Sequence, residues 1–132
     1  MSGVYSLSML SPSQPTTMWF DYRLVMQPSP IHGVGTFATL DITAGELLIL
    51  VTGGLVYTRE DRDLGRVRLA GELYNEEELP GGQLIVTPKV FHYYINHADE
   101  PNIVDVTRHP ASTQYVALRD IHAGEELTAR YL

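Results

Sequence analysis

The chain has 132 residues, 44% of them hydrophobic, and a formal net charge of −7 from 16 acidic and 9 basic side chains. This length fits one domain with a real core, the lack of cysteine excludes disulfides and thiolate metal sites, and the acidic balance argues against nucleic acid as a direct ligand. No apolar run is long enough to span a bilayer and the first twenty residues lack the basic start of a secretory signal, so we expect no membrane contact and a cytoplasmic location.

The first twenty residues are predicted to be a leader that precedes the folded domain. They are rich in serine, threonine and proline, which favours a partly mobile segment with a short strand at residues 4–7. Residues 18–20 are too apolar to stay in water, so we expect them to dock on the domain. The domain itself is predicted to span residues 21–132 and to begin with a strand at residues 22–26.

Two glycines, Gly33 and Gly35, flank a single valine and precede a predicted strand at residues 36–39. Glycine admits positive φ and close approach of another backbone, which suits amide groups that face a ligand. An ordinary hairpin turn has the same signature. The third glycine and the following helix of a dinucleotide-binding fingerprint are absent.

Several further strands are expected along the rest of the chain. Aliphatic and β-branched runs predict them at residues 47–51, 55–57, 84–87, 103–106 and 114–118. Gly53 and Gly54 are predicted to turn the chain between the first two. The sequences DITAGELL at Asp41 and DIHAGEEL at Asp120 predict two similar strand-turn-strand corners. Short strands at close spacing with little helix are typical of a compact, mainly β domain.

Residues 58–82 differ in character and are interpreted as a variable insert. Eleven of the twenty residues from 59 to 78 are charged, as on a solvated face. Thr58 and Asp61 have the spacing of a helix capping box. Internal glycines weaken a helix by about 1 kcal/mol each, so the insert is predicted to contain short, broken helices or loops.

The stretch YYINHADEPN combines an apolar run with a polar pair. Residues 93–95 predict a buried strand, Asn96 and His97 follow it, and residues 99–102 predict a turn. Polar side chains at the end of a buried strand are often where chemistry is placed. The plain alternative is that Asn96 caps the strand and His97 is a hydrogen-bonded core histidine.

Three blocks in this order resemble the SET domain, the fold of S-adenosylmethionine-dependent protein lysine methyltransferases. They are GVGTFA at residue 33, YYINHADEPN at residue 93, and VALRDIHAGEELTARYL to the end of the chain. The resemblance covers roughly residues 22–132. It implies a mainly β fold of several small sheets, with a short helical insert at 58–82 and a C-terminal pseudoknot.

The resemblance also implies roles for particular residues. It places S-adenosylmethionine against side chains and backbone from all three blocks: Gly33, Val34, Gly35, Tyr94, Asn96, His97 and Tyr131. Tyr131, the closing tyrosine of the pattern, is implied to be catalytic. The family pattern has Arg-Phe before Asn-His, whereas this chain has Tyr93 and Tyr94 at those two positions. No metal is expected, because the histidine and aspartate spacings match no standard ligand pattern.

The activity implied is methyl transfer to a lysine side chain of a protein substrate, which the acidic surface predicts to be basic. The chain stops one residue after Tyr131, where members of the family continue with a segment that closes the lysine channel. One expectation is that a partner subunit, as in a homodimer, supplies that wall. The alternative is a non-catalytic, β-rich interaction module of the same fold.

Overall fold

The computed structural model describes residues 13–68, 73–107 and 112–131. Strands dominate, and they form one six-stranded sheet and two sheets of two strands each. This confirms the predicted mainly β fold of several small sheets. Among the described residues, no helix has the length and apolar character needed to cross a bilayer.

The elements follow one another with short connections. In chain order they are β1 (Gln14–Phe20), β2 (Leu24–Pro28), β3 (Val34–Ala38), β4 (Leu47–Tyr57), α1 (Arg59–Asp63), β5 (Tyr74–Glu78), β6 (Leu84–Pro88), a 3₁₀ turn (Phe91–Tyr93), β7 (Asn96–His97), β8 (Ile103–Asp105), β9 (Ser112–Ala117) and β10 (Thr128–Ala129). The largest sheet has the order β5-β6-β4-β9-β8, and β1 also pairs with β4. Strand β2 pairs with β3, and β10 runs parallel to β7.

The sheet begins earlier in the chain than the sequence predicts. Strand β1 pairs antiparallel with β4, from Gln14 opposite Gly54 to Phe20 opposite Ile49. The predicted first strand at 22–26 is wrong at its start, since Tyr22 is 83% exposed in a turn and β2 begins at Leu24. The second half of the predicted leader is therefore part of the sheet, and the predicted strand at 4–7 lies outside the described residues.

Strand β4 is continuous, which corrects the prediction of two strands joined by a turn at Gly53 and Gly54. Both glycines have positive φ, 82° and 154°. A Cβ on Gly53 would lie 2.4 Å from the carbonyl oxygen of Pro15, and one on Gly54 would lie 2.6 Å from that of Val86. The glycines therefore allow neighbouring strands to approach β4 closely rather than ending it.

The insert contains one short helix and a strand. The capping box of α1 is confirmed, because the Thr58 side chain accepts from the Asp61 amide and the Asp61 carboxylate accepts from the Thr58 amide. Strand β5 follows and pairs along its length with β6. The expectation of only broken helices or loops is thus wrong for residues 74–78. Tertiary pairing with the apolar strand β6 outweighs the weak strand preference of three consecutive glutamates.

The two similar corners pack against each other through reciprocal contacts. Ile42 and Ile121 form an isolated bridge, and both are completely or almost completely buried. The Asp120 carboxylate accepts from the Ala44 amide, and the Asp41 carboxylate accepts from the Ala123 amide, each at 2.9 Å. Each aspartate therefore caps the turn of the other corner. The main core includes these two isoleucines and consists of aliphatic residues from most strands and their connections: Leu24, Ala38, Ile42, Leu48, Ile49, Val51, Ile95, Ile103, Ala117, Ile121, Leu127 and Ala129.

The C-terminal segment lies between β3 and the segment 96–102. On one side, the Leu127 amide donates to the Thr36 carbonyl. On the other side, β10 pairs in parallel with β7, and the Ala98 amide donates to the Ala129 carbonyl. Insertion of a chain end between two earlier segments is the arrangement that the predicted pseudoknot requires.

Candidate active site

The three sequence blocks meet in space. The Asn96 side-chain amide donates to the carbonyl oxygen of His32, directly before Gly33, at 3.0 Å. The backbone amide of Tyr131 donates to Nδ1 of His97 at 2.9 Å. Residues that are far apart in the sequence thus lie side by side, because the C-terminal segment is inserted beside β7. We call the region formed by Gly33, Asn96, His97 and Tyr131 the crevice.

His97 and Tyr131 form the more exposed part of the crevice. Their ring centroids are 5.2 Å apart, and 59% of the Tyr131 surface is exposed. Nε2 of His97 lies 3.1 Å from the Asp99 carboxylate. Since Nδ1 accepts from Tyr131, Nε2 carries the proton and donates to Asp99. The alternative reading of His97 as a core histidine is wrong, because its side chain is 38% exposed.

The Tyr131 hydroxyl is held in place although its ring is exposed. It donates to the carbonyl oxygen of Ile95. Burial of the hydroxyl, followed by the nearby negative charge of Glu126, raises the pKa of Tyr131. The phenol therefore stays protonated at neutral pH, and its lone pairs remain available to accept a hydrogen bond.

Residues 93–95 do not form the predicted buried strand. A 3₁₀ turn covers Phe91–Tyr93, Tyr93 is 44% exposed, and the following strand is limited to the two residues of β7. The ring of Tyr94 packs edge-on against Tyr93 at 5.3 Å, whereas the ring of His97 packs on Tyr131. Tyr94 reaches the glycine block through its backbone, because its carbonyl oxygen accepts from the Thr36 hydroxyl at 3.1 Å.

The predicted glycine-block residues differ in their surroundings. Gly33 has a φ of 49°, and a Cβ built on it would meet nothing within 4 Å. Val34 is 44% exposed at the start of β3. Gly35 is buried, and a Cβ on it would lie 2.3 Å from Oε2 of Glu126. Gly33 and Val34 are thus open to a ligand, whereas Gly35 faces the protein.

Three side chains that hold the crevice together were not predicted from the sequence. The Glu126 carboxylate accepts from the Ser29 hydroxyl at 2.7 Å and from the Asn96 amide at 2.8 Å. Asn102 is 2% exposed, donates to the Glu126 carbonyl and accepts from the Thr128 amide, each at 2.8 Å. The signal in the sequence is that Glu126 directly precedes the apolar Leu127, and a carboxylate beside buried residues needs hydrogen-bond partners.

A cavity of about 680 Å³ adjoins the crevice at Tyr131. It is lined by residues of β5, the turn before β8, β8, β9 and the C-terminal segment: Glu77, Pro101, Ile103, Val104, Asp105, Tyr115, Ala129, Arg130 and Tyr131. Burial, followed by the negative charges of carboxylates such as Asp105, raises the pKa of Tyr115 to about 12. Its hydroxyl therefore stays neutral in an electronegative cavity, and Tyr131 is shared by the cavity and the crevice.

No group of three or more histidine, aspartate or glutamate side chains within the described ranges is arranged to hold a metal ion. The crevice has instead several fixed hydrogen-bond acceptors and two aromatic rings. Hydrogen-bond acceptors and aromatic rings suit an organic ligand with a cationic group.

His92, in the turn beside the crevice, predicts a pH-dependent stability. Both ring nitrogens are buried without a hydrogen-bond partner among the described residues, and the ring stacks on Phe20. Burial lowers the pKa of His92 below its usual 6.5. The unfolded chain therefore binds more protons, so stability falls as pH drops from 6.5 through the folded-state pKa.

We expect His92→Phe to remove this contribution, because phenylalanine keeps the stack on Phe20 and cannot be protonated. Urea unfolding at pH 7 and pH 5 measures the change in the free energy of unfolding for each protein. His122→Gln, which replaces an exposed histidine, is the control variant. An equal loss of stability at pH 5 in His92→Phe and in the native protein would contradict the assignment.

The chain is similar in sequence to a known protein family and to a known enzyme. Residues 33–132 match the family model for the SET domain. Histone-lysine N-methyltransferase EZH2 of Chaetomium thermophilum is 32% identical over an alignment of 113 residues, and the match covers 75% of this chain and 7% of the relative. The chain thus spans a small part of that relative's length.

Two solved structures have a similar fold. A chain of an active polycomb repressive complex 2 in the basal state is 27% identical, with a TM-score of 0.54 over 82% of this chain and 15% of that one. A candidate histone methyltransferase of Plasmodium falciparum is 18% identical, with a TM-score of 0.53 over 86% of this chain and 96% of that one. The second similarity shows the fold alone.

Proposed function

Because the chain belongs to the SET domain family of protein lysine methyltransferases, we propose that it transfers a methyl group from S-adenosylmethionine to a lysine side chain of a protein. The observation that supports this most is the position of Tyr131. Its ring packs on His97 in the crevice, and the same residue lines the adjoining cavity. One residue can therefore contact a methyl donor on one side and an acceptor amine on the other.

The crevice offers the methyl donor an exposed backbone segment and a hydrogen-bond acceptor. Val34 is exposed, and Gly33 has no side chain and open space beside it, so a ligand can approach the backbone closely here. The side-chain oxygen of Asn96 forms no hydrogen bond with the described residues, so it can accept from the cationic amino group of the donor. When bound, S-adenosylmethionine supplies an electrophilic methyl group on a positively charged sulfur, and that charge favours the neutral form of a nearby amine.

The cavity is suited to a lysine side chain. Carboxylates of Glu77 and Asp105 line it and attract a cation. Free lysine has a pKa near 10.4, so roughly 1 in 2,500 molecules is neutral at pH 7, and the amine must lose a proton before it can attack. Because the Tyr131 hydroxyl donates its own proton to Ile95, its lone pairs can accept an N–H and direct the nitrogen lone pair toward the methyl carbon.

The relative from Chaetomium thermophilum is named a histone-lysine N-methyltransferase, and polycomb repressive complex 2 contains a structurally similar chain. We propose the broader class for this chain: a basic protein with an accessible lysine. The net charge of −7 favours encounter with such a substrate. A homodimer or another partner is proposed as the source of any further wall of the lysine site.

A thermal melt tests donor binding directly. At 100 times its dissociation constant, S-adenosylmethionine or its demethylated product should stabilise the fold by about 2.7 kcal/mol, roughly 10 °C in melting temperature for a domain of this size. The protein should also transfer a radiolabelled methyl group from S-adenosylmethionine to a lysine-rich protein. If neither ligand shifts the melt, the proposed function is wrong and a non-catalytic module is favoured.

Two glycine variants give this test a matched comparison. Gly33→Ala and Gly45→Ala both place a Cβ at positive φ where nothing lies within 4 Å, so they carry similar backbone strain. Only Gly33 lies beside the crevice. We expect Gly33→Ala to weaken ligand binding and Gly45→Ala to bind as the native protein does.

A further inference from the structure

We propose that Glu126 is a positioning residue whose carboxylate joins the three sequence blocks and fixes the orientation of the Asn96 side chain. Oε1 and Oε2 of Glu126 accept from the Ser29 hydroxyl at 2.7 and 2.9 Å. Oε2 also accepts from Nδ2 of Asn96 at 2.8 Å. Ser29 precedes the glycine block, Asn96 belongs to the second block, and Glu126 belongs to the third.

Ser29 transmits the position of the carboxylate to the turn before the glycines. Its hydroxyl oxygen accepts from the Ile31 amide at 2.9 Å while its proton goes to Glu126. The Ser29 amide donates to the Gly33 carbonyl at 2.8 Å, which closes the turn. A shift of the carboxylate would therefore move residues 29–33 and the open face of Gly33.

The same carboxylate decides which way the Asn96 amide points. Nδ2 carries two hydrogens and lies within hydrogen-bond distance of three acceptors, namely Ser29 Oγ, His32 O and Glu126 Oε2, at 3.1, 3.0 and 2.8 Å. A reversed amide would set its oxygen against these acceptors, which is repulsive. The side-chain oxygen is therefore turned away from them as a fixed acceptor. Its use for the amino group of the methyl donor rests on the proposed function.

Gly35 is explained by Glu126 rather than by a ligand. Its φ is not positive, so its backbone conformation would admit alanine. A Cβ would nevertheless lie 2.3 Å from Oε2 and 2.8 Å from the carboxyl carbon of Glu126. The two glycines of the block thus have different reasons: Gly33 is open on the crevice side, and Gly35 makes room for the carboxylate.

The steric part of this proposal is tested by a double-mutant cycle without any ligand. Gly35→Ala alone should lower the melting temperature by roughly 10 °C, because the carboxylate must move from a packed position. Glu126→Asp withdraws the carboxylate by about 1.5 Å, one carbon–carbon bond. The double variant should recover about half or more of the loss, a strong positive coupling between neighbours. Purely additive effects would overturn the steric assignment.

The orienting part is tested by donor affinity in the same variants. We expect Glu126→Asp to bind S-adenosylhomocysteine about tenfold or more weakly, 1.4 kcal/mol, since Asn96 loses its carboxylate partner. The double variant should regain stability but not affinity, a split that a merely structural role would not produce. The side-chain NH₂ resonances of Asn96 should shift in both variants.

The two proposals fail in different ways. If the native protein binds no donor, the proposed function is wrong, and the cycle and the Asn96 resonances still decide the role of Glu126. If the native protein binds and Glu126→Asp binds equally well with unshifted Asn96 resonances, only the role of Glu126 is overturned. Ser29→Ala, which removes the second partner, should reproduce the affinity loss of Glu126→Asp.

Discussion

Replacing Tyr131 with phenylalanine is expected to reduce methyl transfer by about 100-fold or more, the usual effect of losing one positioned polar group at a reacting centre. The dissociation constant of S-adenosylhomocysteine should change by less than about threefold, which is under 1 kcal/mol. The variant would therefore separate chemistry from donor binding.

The physical reason lies in what the substitution keeps and what it removes. Phenylalanine keeps the ring that packs 5.2 Å from His97, and the backbone amide of residue 131 still donates to Nδ1. The substitution removes the hydroxyl that donates to Ile95, on a residue that lines the cavity. Without it, nothing at this position accepts an N–H from the target amine.

Tyr93→Phe is the matched control, because Tyr93 is also a partly exposed tyrosine and its ring lies near Lys89 and Tyr94 rather than His97. Single-turnover transfer of labelled methyl to a lysine-rich protein measures the rate, and calorimetry measures donor affinity. A rate for Tyr131→Phe within a few-fold of the native rate would remove Tyr131 from the catalytic role.

A second large effect is expected on stability, from Asn102→Ala. Asn102 lies almost completely buried and its side chain bonds the Glu126 carbonyl and the Thr128 amide. Alanine would leave both backbone groups without these partners, at about 1–3 kcal/mol for each buried group. We expect the free energy of unfolding to fall by about 3–5 kcal/mol, among the larger effects of a single substitution.

Urea unfolding of three variants checks this expectation. Asn75→Ala, which removes a side chain bonded to exposed Glu77 on strand β5, should change the free energy of unfolding by less than about 0.5 kcal/mol. Asn102→Asp keeps an acceptor for the Thr128 amide but cannot donate to the Glu126 carbonyl when ionised, so it should also destabilise the fold. A loss below about 1 kcal/mol for Asn102→Ala would show that the C-terminal segment is held by its backbone ladders alone.

Local signals in the sequence predicted much of the fold correctly. The strands at 84–87 and 103–106 are β6 and β8 within one residue at each end, because aliphatic and β-branched runs suit a buried pleated strand. The Thr58–Asp61 capping box forms as predicted, since it needs only a spacing of three residues. The two similar corners were also recognisable, although their mutual capping was not.

Features that depend on distant segments were predicted less well. Gly53 and Gly54 read locally as a turn, yet β1 and β6 approach them from elsewhere in the chain and make β4 continuous. Residues 93–95 are as apolar as a buried strand, but the carbonyl groups of Tyr94 and Ile95 accept from the side chains of Thr36 and Tyr131 instead of from a neighbouring strand. In both places the partner of the backbone decides the conformation, and the partner is not a sequence neighbour.

The amino-acid sequence by itself determined the mainly β fold class and the order of the three blocks. Those properties follow from hydrophobic pattern, turn chemistry and side-chain functional groups, which are local. Only the tertiary structure decided that Asn96 is oriented by Glu126 and Ser29, that Gly35 makes room for a carboxylate, and that Tyr131 is shared by the crevice and a cavity. These contacts join residues 30 to 97 positions apart, so they exist only once the C-terminal segment is inserted between β3 and β7.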